Sequence, residues 1–222
     1  MGSTGGDPEE WILSYCDVVL IRSDLDVLRG PRFINDRIIA FYFAHLSATF
    51  APGDDADLLL LPPSIPYLLS SLPDAASVDA VAEPLRLRSP AASRCSPRGA
   101  APRFVHHDSI RGAPNLPVAH RLAEELGPLL ADASGKVPPL VEGPTPGQTN
   151  GYDCGVYVMA VARAICGWWS DGRGGGGDWF EAVKREVNAA SVTALRAELL
   201  ELIDRLIQEK ANSKAEEGDK GH

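Results

Sequence analysis

Gly147-Gln148-Thr149-Asn150-Gly151-Tyr152-Asp153-Cys154-Gly155 runs straight into Val156-Tyr157-Val158-Met159-Ala160-Val161-Ala162-Arg163-Ala164-Ile165, an apolar stretch without Gly or Pro. Such a run predicts a buried helix over 156–165. The polar, Gly-containing stretch before it cannot continue a helix, which places Cys154 at or near the helix N-terminus. There the unpaired backbone N–H groups and the helix dipole favour a thiolate, the form of cysteine that attacks carbonyls. Most free cysteines are inert packing, so the neighbouring residues decide. Gln148 supplies a side-chain amide of the kind that stabilises an oxyanion. Gly155 leaves the backbone bare beside the sulfur, so a carbonyl can come close. Cys16, Cys95 and Cys166 lack this polar entourage and read as structural or incidental.

The string Gln148-x-Asn150-x-x-Asp153-Cys154-Gly155 resembles the nucleophile motif of the ubiquitin-like-protein-specific cysteine proteases, which mature and remove SUMO-type and Nedd/Rub-type modifiers. The opening segment is similar as well: Trp11 to Tyr15, Asp17, Ser23-Asp24, and Phe33-Ile34-Asn35-Asp36-Arg37-Ile38-Ile39, whose wording resembles the Nedd/Rub-specific, deneddylase branch. With one gap, the similarity runs from about Trp11 to about Ile207. It implies an α+β, papain-like-superfamily fold with a mixed central sheet flanked by helices. It also implies a narrow cleft that takes the Gly-Gly tail of a ubiquitin-like modifier, shaped by Phe33, Asn35 and Asp36 and, near the nucleophile, by Asn150, Asp153 and Gly155. Read without the resemblance, Asn35 or Asp36 caps a helix whose apolar stripe is Ile38, Ile39, Tyr42, Phe43 and Leu46.

Arg103-Phe104-Val105-His106-His107-Asp108-Ser109 reads as a short strand that ends in a polar turn. In the resembled family this strand carries the Asp that orients the catalytic His, and Asp108 matches it. A carboxylate there fixes the imidazole tautomer and stabilises the imidazolium. A plain turn-initiating Asp is the alternative. The resemblance then implies Cys154 as nucleophile, Gln148 as oxyanion donor and Asp108 as orienter.

One family element is missing. The chain has no His-Trp pair, the motif that bears the catalytic His shortly before the Asp strand; its five histidines are His45, His106, His107, His120 and His222. In its place lies Leu87 to Pro102, rich in Pro, Ser, Arg and Ala and without alternation, which reads as loop or disorder. About two sheet strands are therefore absent by this reading, on the order of twenty residues. Three readings stay open: an active peptidase of the modifier pathway, a catalytically impaired relative that binds the modifier, or a mis-spliced gene model of the active protease. His106, on the Asp108 face of the strand, is a poor substitute base, because a base must reach the sulfur within hydrogen-bond distance.

The length of 222 residues suits one domain with ample core, and 45% hydrophobic and 23% charged residues are ordinary globular values. A net charge of −9 argues against a nucleic-acid partner. Four cysteines without a C-x-x-C spacing argue against zinc and a disulfide framework, and no cofactor is implied. No secretory signal or bilayer-spanning stretch is evident, which points to cytoplasm or nucleus. Oligomeric state is not legible. The expected layout is a disordered leader 1–8, a protease domain 9–208 with the atypical loop 86–102, and a disordered charged tail 209–222. Within the domain, a strand is expected over 17–22, helices over 36–48, 64–72, 116–130 and 191–208, a buried run Leu58–Leu61, and a strand Pro138–Glu142 leading into the Cys loop. Gly172 to Gly177 lacks the Lys-Ser/Thr of a phosphate loop and reads as a surface loop.

Overall fold

A computed structural model describes residues 7–50, 58–71, 103–110, 115–131, 134–171 and 179–219. Strands β1 (Trp11–Tyr15) and β2 (Val18–Ile21) form an antiparallel hairpin in which Tyr15 faces Val18. Its turn is therefore Cys16-Asp17 alone, and both residues take positive φ, 44° and 65°. A two-residue turn needs that conformation to match the twist of its strands.

β2 passes directly into helix α1 (Arg22–Arg29), which the sequence reading did not foresee. Asp24 is the reason it starts there: its buried carboxylate accepts the Ile21 N–H at 2.8 Å, satisfying a backbone donor left free at the helix start. Helix α2 (Asp36–Phe50) follows, and Asn35 is its N-cap, with Oδ1 accepting the Ile38 N–H at 3.0 Å. Its buried face holds Ile38, Ile39, Tyr42 and Leu46 as the periodicity predicted, plus Phe41, which is fully buried while Phe43 is only partly so.

Helices α3 (Ser64–Ser71) and α4 (Asn115–Leu126), the latter closing in a 3₁₀ turn at Gly127–Leu130, lie close to the predicted spans. Strands β3 (Phe104–His106) and β4 (Leu140–Glu142) pair in parallel, with Phe104, Val105 and His106 opposite Leu140, Val141 and Glu142. Helix α5 (Cys154–Asp171) is the centre of the core. It packs on α2, on α6 (Trp179–Glu186) and on α7 (Ala189–Asp219), while α7 also covers α1. Ile38, Phe41, Val156, Met159, Leu199 and Ile203 meet there with almost no exposure. At about 1.5–3 kcal/mol for each such side chain, this helical interface is the main source of stability.

The architecture is α+β, and among the described residues the sheet content is two separate two-stranded pairs rather than one continuous mixed sheet. Three local expectations are corrected. The 209–222 tail is not disordered throughout: α7 continues to Asp219, because Gln208 to Glu217 contains no Gly or Pro, and Lys210 Nζ donates to the Ser14 carbonyl. Within the expected leader, Asp7 and Pro8 are tied down, their carbonyls accepting from Glu10 N and Ser23 N at 3.0 Å. The Leu58–Leu61 run is not buried as a block: Leu58 and Leu60 pack on the core, while Leu59 turns outward. The 86–102 loop, the Gly172–Gly177 loop and Cys95 lie outside the described residues.

Candidate active site

Helix α5 begins at Cys154, and the Tyr157 N–H donates to the Asp153 carbonyl at 2.9 Å, so Asp153 is the N-cap and Cys154 the first helical residue. Cys154 is half-buried, Cys16 is exposed at the hairpin turn, and Cys166 is buried in the core, where burial raises its thiol to about 11. The predicted contrast between one accessible helix-start thiol and an inert packed one is thus present.

The residues before Cys154 fold back on themselves. Asn150 Oδ1 accepts the N–H groups of Tyr152 and Asp153, both at 3.0 Å, a side-chain mimic of a backbone turn. Asn150 Nδ2 donates to Asp153 Oδ2 at 2.6 Å. Gln148 Nε2 donates to the Asn150 carbonyl at 2.6 Å. The polar string therefore forms a continuous hydrogen-bonded arc that leads into Cys154 at the start of α5.

Ser109, a residue the sequence reading did not single out, joins this arc to Asp108. The Gln148 N–H donates to the Ser109 carbonyl at 2.8 Å, and the buried Ser109 Oγ donates to Gln148 Oε1 at 3.0 Å. Gln148 is thus held next to the residue that follows Asp108. Asp108 itself accepts from Ile110 N at 2.8 Å and from Asn115 Nδ2 at 3.0 Å, so its carboxylate also builds the turn after β3.

Gly155 is buried, and a Cβ there would stand 3.0 Å from Ile34 Cβ and 3.5 Å from Ile39 Cδ1. Its smallness lets the 30–35 loop pack against the start of α5. In that loop Phe33 is 66% exposed, while Asn35 caps α2 and donates from Nδ2 to Asp24 Oδ1 at 2.8 Å. Asp36 opens α2. Asp153 is buried in an ion pair with Arg196 at 2.7 Å.

No histidine among the described residues hydrogen-bonds to Cys154 or Asp108. His107 is occupied elsewhere: its Nδ1 meets Thr145 Oγ1 at 2.7 Å, and its ring lies 5.1 Å from Trp179. Burial, with His106 adding to it, lowers His107 to about 4 against the opposing pull of a bond to the Pro144 backbone. His45 lies on α2 between Tyr15 and Tyr42. Among the described residues no three His, Cys, Asp or Glu side chains converge as a metal site would. No helix among them is long and apolar enough to cross a membrane. Two open grooves of about 380 Å³ lie elsewhere, one between α2, α5 and α7 and one between the hairpin and α7.

With this geometry in hand, relatives identify the family. The chain is 38% identical to NEDD8-specific protease 1 of Arabidopsis thaliana over 234 residues, covering 96% of this chain and all of that protein. That span exceeds the 222 residues of this chain, so the relative carries residues that this chain lacks. Sentrin-specific protease 8 of Homo sapiens is 28% identical over 173 residues, 70% of this chain and 81% of that protein. Among solved structures, the fold matches a de-sumoylating protease with TM-score 0.63 at 14% identity, over 94% and 95% of the two chains. It also matches the C-terminal ULP1 protease domain solved in complex with SMT3, the yeast ortholog of SUMO, with TM-score 0.55 at 16% identity over 88% and 87%. No protein-family model matches the chain. The identity to NEDD8-specific protease 1 over nearly the whole chain, on a fold shared with de-sumoylating proteases, shows that this chain belongs to the ubiquitin-like-protein-specific cysteine protease family.

Proposed function

We propose that this protein is a cysteine-type peptidase and isopeptidase that cuts after the C-terminal Gly-Gly of a Nedd/Rub-type modifier. The observation that carries this reading is Cys154 at the first position of α5, half-buried, with Gln148, Asn150 and Asp153 closed into one arc against Ser109, the residue after Asp108. In the reaction the Cys154 sulfur attacks the glycine carbonyl, forming a C–S bond and an oxyanion. Collapse breaks the C–N bond and the amine leaves with the proton the thiol gave up; water then adds to the thioester, the C–S bond breaks, and the modifier carboxylate and the Cys154 thiol are released.

Gln148 uses one amide hydrogen on the Asn150 carbonyl, and its second is the one that serves the oxyanion. Asp108 keeps lone pairs beyond those taken by Ile110 and Asn115, which suits an orienter, and among the described residues no histidine is hydrogen-bonded to it or to Cys154. Phe33, exposed and next in sequence to the Ile34 that packs on Gly155, is assigned in this reading to the modifier contact. The NEDD8-specific relative and the deneddylase-like opening segment favour the Nedd/Rub type over the SUMO type. A reducing compartment, cytoplasm or nucleus, suits a free thiol nucleophile.

The test is turnover of Nedd8-type and SUMO-type modifiers bearing a fluorogenic C-terminal amide. Release from the Nedd8-type substrate, lost in Cys154→Ser, supports the reading. Release from the SUMO-type substrate alone, or release that survives Cys154→Ser, overturns it.

A further inference from the structure

We infer that Arg196, on α7, is a positioning residue that locks the 30–35 loop and the N-cap of the nucleophile helix into one unit. This rests on the peptidase reading above for its functional consequence. Every nitrogen of its guanidinium is engaged. Nε and Nη2 meet Asp153 Oδ1 at 2.8 and 2.7 Å. Nη2 also donates to the Arg32 carbonyl at 2.7 Å, and Nη1 donates to the carbonyls of Val27 and Gly30 at 3.2 and 3.4 Å. Four of these are hydrogen bonds and the Nη2–Asp153 contact is an ion pair, so all three guanidinium nitrogens are engaged.

Two of these acceptors have a physical need for a donor. Val27 lies in the last turn of α1, where carbonyls have no partner within the helix. Asp153 is a buried carboxylate whose other oxygen is held by Asn150, the residue that also turns the chain into α5. Arg196 is itself only 12% exposed, and its guanidinium lies 5.6 Å from the Tyr152 ring. One cation therefore grips both sides of the same junction. On one side is the cap that aims Cys154; on the other are the carbonyls of residues 27, 30 and 32, immediately before exposed Phe33. Ile34 then packs on Gly155, closing the loop against the residue after the nucleophile. A displacement of the loop is thereby coupled to Cys154 itself.

Lysine cannot replace this arrangement, since its three donors radiate from one point and cannot fork between a carboxylate and three carbonyls. The experiment compares the full-length protein with Arg196→Lys and Arg196→Met. Three readouts are taken: capture of Cys154 by a Nedd8-type modifier with a C-terminal electrophile, resolved into saturation concentration and maximal rate; amide hydrogen exchange; and thermal unfolding. Arg196→Lys stays folded, its saturation concentration rises, and its maximal rate falls by about tenfold, equivalent to about 1.4 kcal/mol at the transition state. Exchange in residues 30–36 quickens by a similar factor, while the 11–21 hairpin is unchanged. Arg196→Met exaggerates both effects; if it does not fold, Arg196→Lys decides. Parental capture constants in Arg196→Lys, with or without a lowered melting temperature, overturn the positioning role, as does unchanged exchange in 30–36. If the parent protein itself is not captured by any modifier, the peptidase reading fails, and exchange alone decides whether Arg196 holds the loop.

Discussion

Replacing Gly143 with alanine would drive a methyl group into the His107 imidazole. The added Cβ would lie 2.4 Å from Cε1, 2.5 Å from Nε2 and 2.8 Å from Nδ1, where ordinary contact begins near 3.4 Å. The ring has little room to withdraw, because Nδ1 is bonded to Thr145 Oγ1 and Trp179 and Phe180 pack against it at 5.1 and 6.2 Å. The strand has little either, since the Gly143 N–H donates to the His106 carbonyl at 2.8 Å. Overpacking of this kind costs about 1–3 kcal/mol, and breaking the Thr145 bond adds about 1 kcal/mol. The sum, about 2–4 kcal/mol, is read as a lowered urea midpoint at unchanged slope. A double-mutant cycle with His107→Ala isolates the cause: without the ring, Gly143→Ala costs no more than about 0.5 kcal/mol, leaving a coupling of about 1.5 kcal/mol or more. An unaltered midpoint in Gly143→Ala, or additive single effects, refutes the clash.

Other consequences follow from the same geometry. His107 is at about 4 folded and 6.5 unfolded, so the unfolded chain binds more protons between these values. Its contribution to stability is whole above pH 6.5 and is lost as pH falls towards 4; His107→Gln flattens that part of a stability–pH curve, and an unchanged curve contradicts the buried neutral imidazole. Asn35→Ala removes both the α2 cap and a partner of Asp24, costing about 1–2 kcal/mol by denaturation. Asn35→Asp keeps the cap acceptor but sets a second carboxylate against Asp24, so it is no better than alanine at neutral pH. At the hairpin turn, Cys16→Asn with Asp17→Gly supplies residues suited to positive φ and raises stability by about 0.5–1 kcal/mol in thermal unfolding.

Much of the scaffold around Cys154 was legible in the chain. The break from Gly151-Tyr152-Asp153 to an apolar run marks the start of α5, and Asn35 before Ile38-Ile39 marks the start of α2, because caps and periodicity are local signals. Helix α1 was missed because Asp24 works through the Ile21 backbone and long-range partners, Asn35 and Arg37. Ser109 was missed because its role depends on β3 and β4 pairing across more than thirty residues. Arg196 does carry a sequence signal. It stands at Val192+4, Leu199−3 and Ile203−7, on the apolar stripe of α7, and a charge on a buried stripe implies a buried partner. The end of α7 is not legible from charged composition alone, because Glu, Lys, Gln and Ala are also good helix formers.

The central claim is that Cys154 takes the acyl group of a glycine-ended modifier. Its most direct measurement is incubation of the intact protein with a Nedd8-type modifier whose terminal glycine carries an electrophile, followed by mass mapping of the adduct. The account predicts one stoichiometric adduct on Cys154, absent in Cys154→Ser and undiminished in Cys16→Ser. Modifier bound only reversibly, or an adduct on Cys16 in place of Cys154, would contradict it.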